Sequence, residues 1–178
     1  MKKTLLILAL VTVTGSLFAQ KKTTTSATVA FDASTPKDAL PKAENKTAIA
    51  AIDTKTGTVQ FEANVKNFAF SNPTIQEHFN GERWLNSDTY STFSFKGTVT
   101  NLSEVNFAQN GTYNANVEGT LTIKGKEQKV KAPATIVVNN GAVSATSNFA
   151  ITLADYGITV DGEKIAKEPK ITVAAEFK

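Results

Sequence analysis

The chain has 178 residues, no cysteine, one histidine and a formal net charge of +3. Without cysteine it has no disulfide framework, no thiolate chemistry and no cysteine-based metal site. A nucleic-acid-binding protein would need basic residues clustered on one face, whereas these lysines are scattered among threonine and asparagine, so we expect no nucleic-acid partner.

The first 19 residues have the layout of a secretory signal peptide. Lys2 and Lys3 form a basic start, Leu5 to Val13 an apolar run, and Ala19 ends a segment suited to cleavage. The run is too short for a comfortable membrane span, and without cysteine a lipid anchor is excluded. Cleavage would leave 17 basic against 16 acidic residues. We therefore expect a periplasmic or secreted protein with no integral membrane span after processing; a retained N-terminal anchor is the alternative.

Period-two alternation of apolar and polar residues dominates the rest of the chain. It follows a polar lead-in at residues 20–26 that we expect to be disordered. Such alternation indicates antiparallel sheets with one dry face, and glycine-containing turns at 55–58, 124–127 and 139–142 separate the strands. The pattern predicts one domain, residues 27–178, with strands near 27–34, 47–52, 58–70, 92–102, 112–124, 127–138, 142–153 and 170–178. Eight such strands favour an all-β up-and-down barrel, with a two-sheet sandwich as the alternative.

The third predicted strand changes its own alternation. Its inward positions are odd-numbered as far as Val65, but the next aromatic residues are Phe68 and Phe70. A β-bulge near Lys66 and Asn67 would bring both sets inside. The alternative is that one phenylalanine covers the outside of the barrel.

The connection at residues 71–91 is far longer than the hairpin turns. Asn72 suits a helix N-cap and Pro73 a first turn, and Gly81 can end a two-turn helix. Ile75 and Phe79, four residues apart, would then share the face that packs against the barrel. Connections of this length tend to be lids or binding loops.

The same segment, "IQEHFNGERWLNSDTYSTFSFKG", resembles the YceI-like family of exported lipid-binding proteins. The matching features are a His-Phe pair (His78-Phe79), a Leu-x-Ser-x-x-Tyr step (Leu85 to Tyr90) and a Phe-led strand ending in Lys-Gly (Phe93 to Gly97). Downstream, "VEGTLTIKGKEQKV" and "FAITLADYGI" resemble the family's Gly-x-Leu-Thr-Ile-x-Gly hairpin and its late Asp-Tyr segment. The resemblance covers roughly residues 27–178.

The resemblance implies a lipocalin-like antiparallel barrel with an elongated cavity for a polyisoprenoid or similar amphiphile. The chain departs from the family pattern in three places. Ser91 stands where proline is common, Lys124 where histidine is usual, and Gln76-Glu77 where longer members have Arg-Asp. Because these departures lie around the mouth and the first hairpin, ligand identity is the least transferable part.

A slender apolar chain is the expected ligand, an isoprenoid or fatty-acyl amphiphile held for transport, storage or stress protection. An eight-stranded barrel is just wide enough to be filled by side chains or to hold one such ligand. Small inward residues would leave room for it: Ala63, Ala115, Gly119, Ala145 and Ala175. The alternative is a solid core of interdigitated side chains, which would make the chain an exported structural or adhesive domain with a partner-binding 71–91 loop.

The candidate ligand-binding residues combine the aromatic strands with the 71–91 connection. They are Phe61, Phe68, Phe70, Ile75, His78, Phe79, Arg83, Trp84, Leu85, Tyr90, Phe93, Phe95 and Phe149. Arg83 and Trp84 could meet a head group at the mouth, or be a solvated charge and a core ring. Tyr90 and Tyr156 could reach a ligand or only local backbone. His78 could contact a head group, although a capping role or a hydrogen bond to the connection is the plainer reading.

No catalytic chemistry is predicted. The chain carries no nucleophile elbow, zinc-protease motif or phosphate-binding loop, and a lone histidine without cysteine has no obvious metal partners. We therefore expect a non-enzymatic protein without cofactor or metal. A homodimer formed through an edge strand stays open at this stage.

Overall fold

The computed structural model describes residues 21–178, so the signal peptide predicted for residues 1–19 lies outside the described residues. Strands dominate this range, with one α-helix and three short 3-10 helices within it. The elements are β1 Lys21–Asp32, β2 Lys42–Asp53, β3 Thr58–Asn64, β4 Ala69–Phe70, α1 Pro73–Asn80, β5 Thr92–Val99, β6 Gly111–Ile123, β7 Lys126–Asn139, β8 Ala142–Ala150 and β9 Lys170–Phe177. The 3-10 helices are Val65–Asn67, Leu102–Glu104 and Leu153–Tyr156.

The eight long strands close into one antiparallel barrel. Each pairs with the next long strand along the chain, and β9 pairs with β1, with Phe31 opposite Ile171. The two-residue β4 pairs with the start of β2. The predicted eight-stranded barrel with one short helix in the 71–91 connection is thus confirmed over the sandwich. Because every long strand in the described range has neighbours on both sides, an edge-strand homodimer gains no support from this topology.

Two tight hairpin turns fix the register of the central strands. Lys124 and Gly125 join β6 to β7, and Asn140 and Gly141 join β7 to β8. All four have positive φ, between 50° and 82°, which is the type I′ geometry that matches the twist of paired strands. The turns predicted at 124–127 and 139–142 are therefore confirmed, and each strand presents alternate side chains to one continuous core.

The lead-in predicted to be disordered is ordered where it is described. Residues 21–26 form the first half of β1, with Lys21 opposite Asp53 of β2, and Thr23 exchanges backbone hydrogen bonds with Lys178. Threonine favours extended backbone, and β2 begins at Lys42, five residues earlier than predicted, so it is long enough to pair with all of β1. The prediction was wrong because a polar segment without buried side chains of its own can still be ordered by backbone hydrogen bonds to a neighbouring strand.

The change of alternation after β3 is confirmed, but a 3-10 turn makes it instead of a β-bulge. Val65 opens the turn Val65–Asn67 and is fully buried, and Phe68, directly after it, is 2% exposed. The Asn64 side chain accepts a hydrogen bond from the Lys66 backbone N–H and so caps the turn. The turn therefore brings an odd-numbered and an even-numbered residue to the same inner face.

Candidate functional site

The barrel interior contains a cavity of about 160 Å³. All eight long strands contribute to its wall, which is aliphatic and aromatic apart from Ser94, Thr146 and Ser147. An apolar cavity of roughly 150 Å³ can stay dry and bind an apolar molecule. Wall atoms beside empty space also lack dispersion partners. An apolar chain that filled the cavity would therefore gain dispersion contacts with the wall.

Small side chains account for part of this room, as predicted, but not all of the predicted ones take part. Ala63 and Ala145 lie in the cavity wall. Ala115 and Ala175 are buried outside it, and Gly119 is covered by the ring of Phe95. Ala132 and Ala134 also line the cavity; they lie on β7, whose alternation the sequence analysis used only to place a strand.

The helix α1 forms as its sequence predicts. The Asn72 side-chain oxygen accepts hydrogen bonds from the backbone N–H groups of Thr74 and Ile75, and Pro73 occupies the first turn. At the other end the Gly81 N–H donates to the carbonyl groups of Glu77 and His78. These caps fix a two-turn helix that could not persist alone in water.

Phe79 joins α1 to the end of the barrel where β1 and β3 finish; we call this the helix end. Its side chain is 4% exposed and lies in the cavity wall. Ring centroids of four aromatic residues lie 4.8–6.2 Å away, namely Phe31, Phe68, Phe70 and Trp84. Tilted pairs at such distances are favourable. The helix end is therefore lined by a packed aromatic cluster.

The residues that follow α1 fold back on the helix by backbone hydrogen bonds. Ser87 donates from both its N–H and its hydroxyl to the Asn80 carbonyl, at 3.0 and 3.2 Å. Leu85 and Ser87 are buried, and the Ser91 carbonyl accepts from the Val65 N–H at 2.9 Å. The 71–91 connection is thus an ordered cover at the helix end.

One ion pair adds to this cover at the surface. Lys66 Nζ lies 2.6 Å from Asp88 Oδ1, and its hydrogen bond lowers the pKa of the Asp88 carboxyl. Because both side chains are exposed to solvent, the pair contributes little stability.

Eight of the thirteen predicted ligand-binding residues lie in the cavity wall. They come from four strands or turns and from the 71–91 connection: Phe61, Phe68, Phe79, Trp84, Leu85, Phe93, Phe95 and Phe149. Their common feature is an apolar side chain on the inner face of the alternation. These eight residues lie where a ligand in the cavity would touch them, and their role in binding stays a prediction.

The other five predicted residues lie outside the cavity wall. Phe70 packs on the Phe79 ring at 4.8 Å, and Ile75 is half-buried. His78 and Arg83 are exposed, because each directly precedes a residue whose side chain points inward, and neighbours in a helix or turn point apart. Tyr90 is 37% exposed and covers Gly125 of the β6–β7 turn.

The predicted ligand-binding residues omitted the part of the wall formed by β1, by β9 and by the segment after the last 3-10 helix. Phe31 and Val29 of β1, Ile158 after the last 3-10 helix, and Val173 and Phe177 of β9 all line the cavity. The alternation of β1 and β9 was visible in the sequence. Which inward residues border the cavity, however, depends on how the aromatic rings pack inside the barrel, and the alternation does not determine that packing.

The cavity wall in the described residues carries no charged side chain, and residues 21–178 contain no group of three or more His, Cys, Asp or Glu that could hold a metal ion. Unpaired polar atoms lie next to the apolar core instead. Within the described residues, Gln76 Nε2 and Asn80 Oδ1, one turn apart on α1, are buried without a hydrogen-bond partner, while Gln76 Oε1 accepts from the Phe70 N–H. Because its wall carries no charged side chain in the described residues, the cavity is suited to binding through apolar contact.

Tyr156 is a further residue with a buried, unpaired polar atom among those that the structure describes. Its side chain is 1% exposed, and its hydroxyl finds no hydrogen-bond partner in the described part of the chain. Burial, with a smaller contribution from Asp155, raises the pKa of Tyr156 to about 12. Tyr156 belongs to the last 3-10 helix, which ends at Gly157 with φ 72°, and it does not line the cavity.

Within residues 21–178, no helix has the length and apolar character needed to span a membrane.

Comparison with solved structures shows the same fold in proteins of low sequence identity. BcnA of Burkholderia cenocepacia is 20% identical with a TM-score of 0.69, over 85% of this chain and 96% of that one. A polyisoprenoid binding domain from Saccharophagus degradans, implicated in plant cell wall breakdown, is 13% identical with a TM-score of 0.75, over 89% and 98%. A YceI protein of Campylobacter jejuni is 13% identical with a TM-score of 0.58, over 73% and 78%. At these identities the likeness establishes the fold.

No curated protein matches the chain. The sequence model of the YceI-like domain, in contrast, matches residues 10–177, nearly the whole length. The resemblance carried by the His-Phe pair and the Leu-Thr-Ile hairpin is thereby confirmed. The chain belongs to the YceI-like domain family.

Proposed function

We propose that this protein holds one long apolar chain, that of an isoprenoid or fatty-acyl amphiphile, inside its barrel. The observation that carries the proposal is the cavity of about 160 Å³, whose wall is apolar and draws on all eight long strands. Each methylene moved from water into such a wall contributes about 0.8 kcal/mol. The roughly six carbons that a cavity of about this size holds would contribute about 5 kcal/mol by this measure, which offsets part of the cost of association, and the rest of a longer chain would extend along the barrel.

The family and one structural neighbour support the ligand class. The chain belongs to the YceI-like domain family, and the neighbour from Saccharophagus degradans is described as a polyisoprenoid binding domain. With the signal peptide expected at residues 1–19, the protein would act in the periplasm or outside the cell. There it would hold its ligand for transport, storage or stress protection.

The head group of the ligand would lie at the helix end. Trp84 lines the cavity while Arg83, next to it, is exposed. An apolar tail held against Trp84 would therefore leave a polar head within reach of the Arg83 guanidinium. The alternative of a structural domain with a solid core requires side chains to fill the barrel interior, so the cavity argues against it.

Trp84 provides the assay, because it is the chain's only tryptophan and lies in the cavity wall. Geranylgeraniol is titrated into the protein and Trp84 emission is followed. We expect saturable binding by the parent and its loss in Ala145→Phe, which places a ring in the cavity. Ala142→Phe puts the same ring on an exposed position of the same strand and should bind as the parent does.

Circular dichroism of each variant separates loss of the cavity from loss of the fold. If the parent and a folded Ala145→Phe variant bound geranylgeraniol with equal affinity, the ligand would bind outside the cavity and the proposal would fail.

A further inference from the structure

Two glycines face each other on the inner wall at mid-barrel. Gly97 of β5 pairs directly with Gly119 of β6. On each strand the alternation places them between inward residues, Phe95 and Val99 on β5 and Val117 and Leu121 on β6. The wall therefore has a recess here that is only backbone deep, which we call the glycine recess.

The ring of Phe95 lies in the glycine recess. A Cβ atom added to Gly97 or to Gly119 would lie 2.6 Å from Phe95 Cζ, a distance that real Cβ atoms do not tolerate. Phe95 lines the cavity, whereas the two glycines beneath it do not. The ring is thus folded along the wall and leaves the centre of the barrel open.

Phe95 lies between residues that line the cavity toward either end of the barrel. Phe93, one inward step nearer the helix end, packs on Phe68 with ring centroids 5.6 Å apart. Val99, two inward steps the other way, pairs with Val117 toward the far end. All these residues except Phe68 lie on β5 or β6, and all line the cavity. A long chain must pass Phe95 to extend along the barrel, whereas a shorter chain reaches less far beyond it.

The geometry points to Phe95 and its glycine recess as the determinant of ligand chain length, a role that rests on the proposed function. With the ring in the recess, the lumen is continuous and a long chain is held along the barrel. A ring that cannot enter the recess projects into the lumen and divides the cavity, so that only short chains bind well.

The test compares geraniol, farnesol and geranylgeraniol, which carry the same alcohol and lengthen by one isoprene unit each. The main variant is Phe95→Trp, whose larger ring does not fit a recess that the Phe95 ring already fills. Because this variant adds a second tryptophan, the affinities are measured by isothermal titration calorimetry and not by Trp84 emission. Excluding even two methylene groups weakens apolar binding on the order of tenfold. We expect affinity for geranylgeraniol to fall by about that factor or more, while affinity for geraniol stays within about twofold of the parent.

A second pair of variants blocks the recess from below. Gly119→Ala should shift affinity in the same way, and Gly119→Ala with Phe95→Leu should restore geranylgeraniol binding, because the shorter side chain does not need the recess. A Cβ at Gly119 would also lie 2.5 Å from the Lys96 carbonyl oxygen, so thermal unfolding of each variant is measured first. Gly111→Ala, on the same strand, is the control, since the three atoms nearest to its Cβ would all belong to the Tyr113 side chain and not to the backbone.

The ratio of the geraniol and geranylgeraniol affinities decides the outcome. Selective loss of the long alcohol in Phe95→Trp supports the proposal, and restoration in the double variant strengthens it. Equal weakening of all three alcohols in Phe95→Trp, or an unchanged ratio, would overturn it and leave the recess a purely structural feature. Failure of the parent to bind any of the three would instead contradict the proposed function.

Discussion

Replacing Phe79 with alanine removes the centre of the aromatic cluster at the helix end. The side chain is 4% exposed and has four aromatic neighbours within 6.2 Å. Truncating a buried phenylalanine costs about 3–5 kcal/mol, and each aromatic pair can add about 0.5–1.5 kcal/mol beyond burial. We therefore expect the free energy of unfolding to fall by about 4 kcal/mol, in the middle of that range.

Urea unfolding followed by circular dichroism measures this loss. A domain with about 5–15 kcal/mol of stability would remain folded, with its urea midpoint lowered by about 2 M at a slope near 2 kcal/mol/M. Because Phe79 also lines the cavity, the variant should release bound geranylgeraniol faster than the parent.

Ile75→Ala is the matched control on the same helix. Ile75 is half-buried and outside the cavity wall, so its truncation should cost only about 1 kcal/mol and leave ligand release unchanged. A loss below about 1 kcal/mol for Phe79→Ala, or equal losses for the two variants, would refute the role assigned to the aromatic cluster.

Three further predictions concern single residues. Asn72→Ala removes the N-cap of α1 and should lower the free energy of unfolding by about 1 kcal/mol in urea unfolding; a neutral result would show that α1 needs no cap. Asn45 is fully buried and donates to the Asn64 carbonyl at 2.9 Å while accepting from Thr47, so Asn45→Leu should cost about 1–3 kcal/mol by the same measurement, and a stabilised variant would contradict this. Tyr156 has a pKa raised from 10.0 to about 12. Between these values the folded protein keeps a proton that the unfolded chain loses, so the free energy of unfolding should decline as pH rises from about 10 to 12. Tyr156→Phe should remove that part of the decline in unfolding measured against pH, and an identical pH profile for parent and variant would argue against it.

The strands and turns were predictable because they depend on local chemistry. Apolar residues at every second position require a sheet with one dry face, and the Lys124-Gly125 and Asn140-Gly141 pairs supply the positive φ values that tight hairpins need. The helix followed in the same way from Asn72, Pro73 and Gly81. Closure into a barrel was inferred from the number of strands and the short turns between them.

The remaining features depend on contacts between distant parts of the chain. The order of residues 21–26 comes from β2 and Lys178, which a polar lead-in does not reveal. Gly119 was predicted to leave room, but the ring of Phe95 fills that place. His78 and Arg83 share a segment with Phe79 and Trp84, yet a rotation of one residue places them outside the cavity wall.

The central claim is that the barrel holds an apolar chain, and the most direct test is to ask what the protein contains. The protein is purified under native conditions without detergent, extracted with organic solvent, and the extract is analysed by lipid mass spectrometry. We expect a prenyl or acyl species in stoichiometric amount, reduced in Ala145→Phe. A folded protein that yields no such species, and that takes up none of the prenyl alcohols when they are offered, would contradict it.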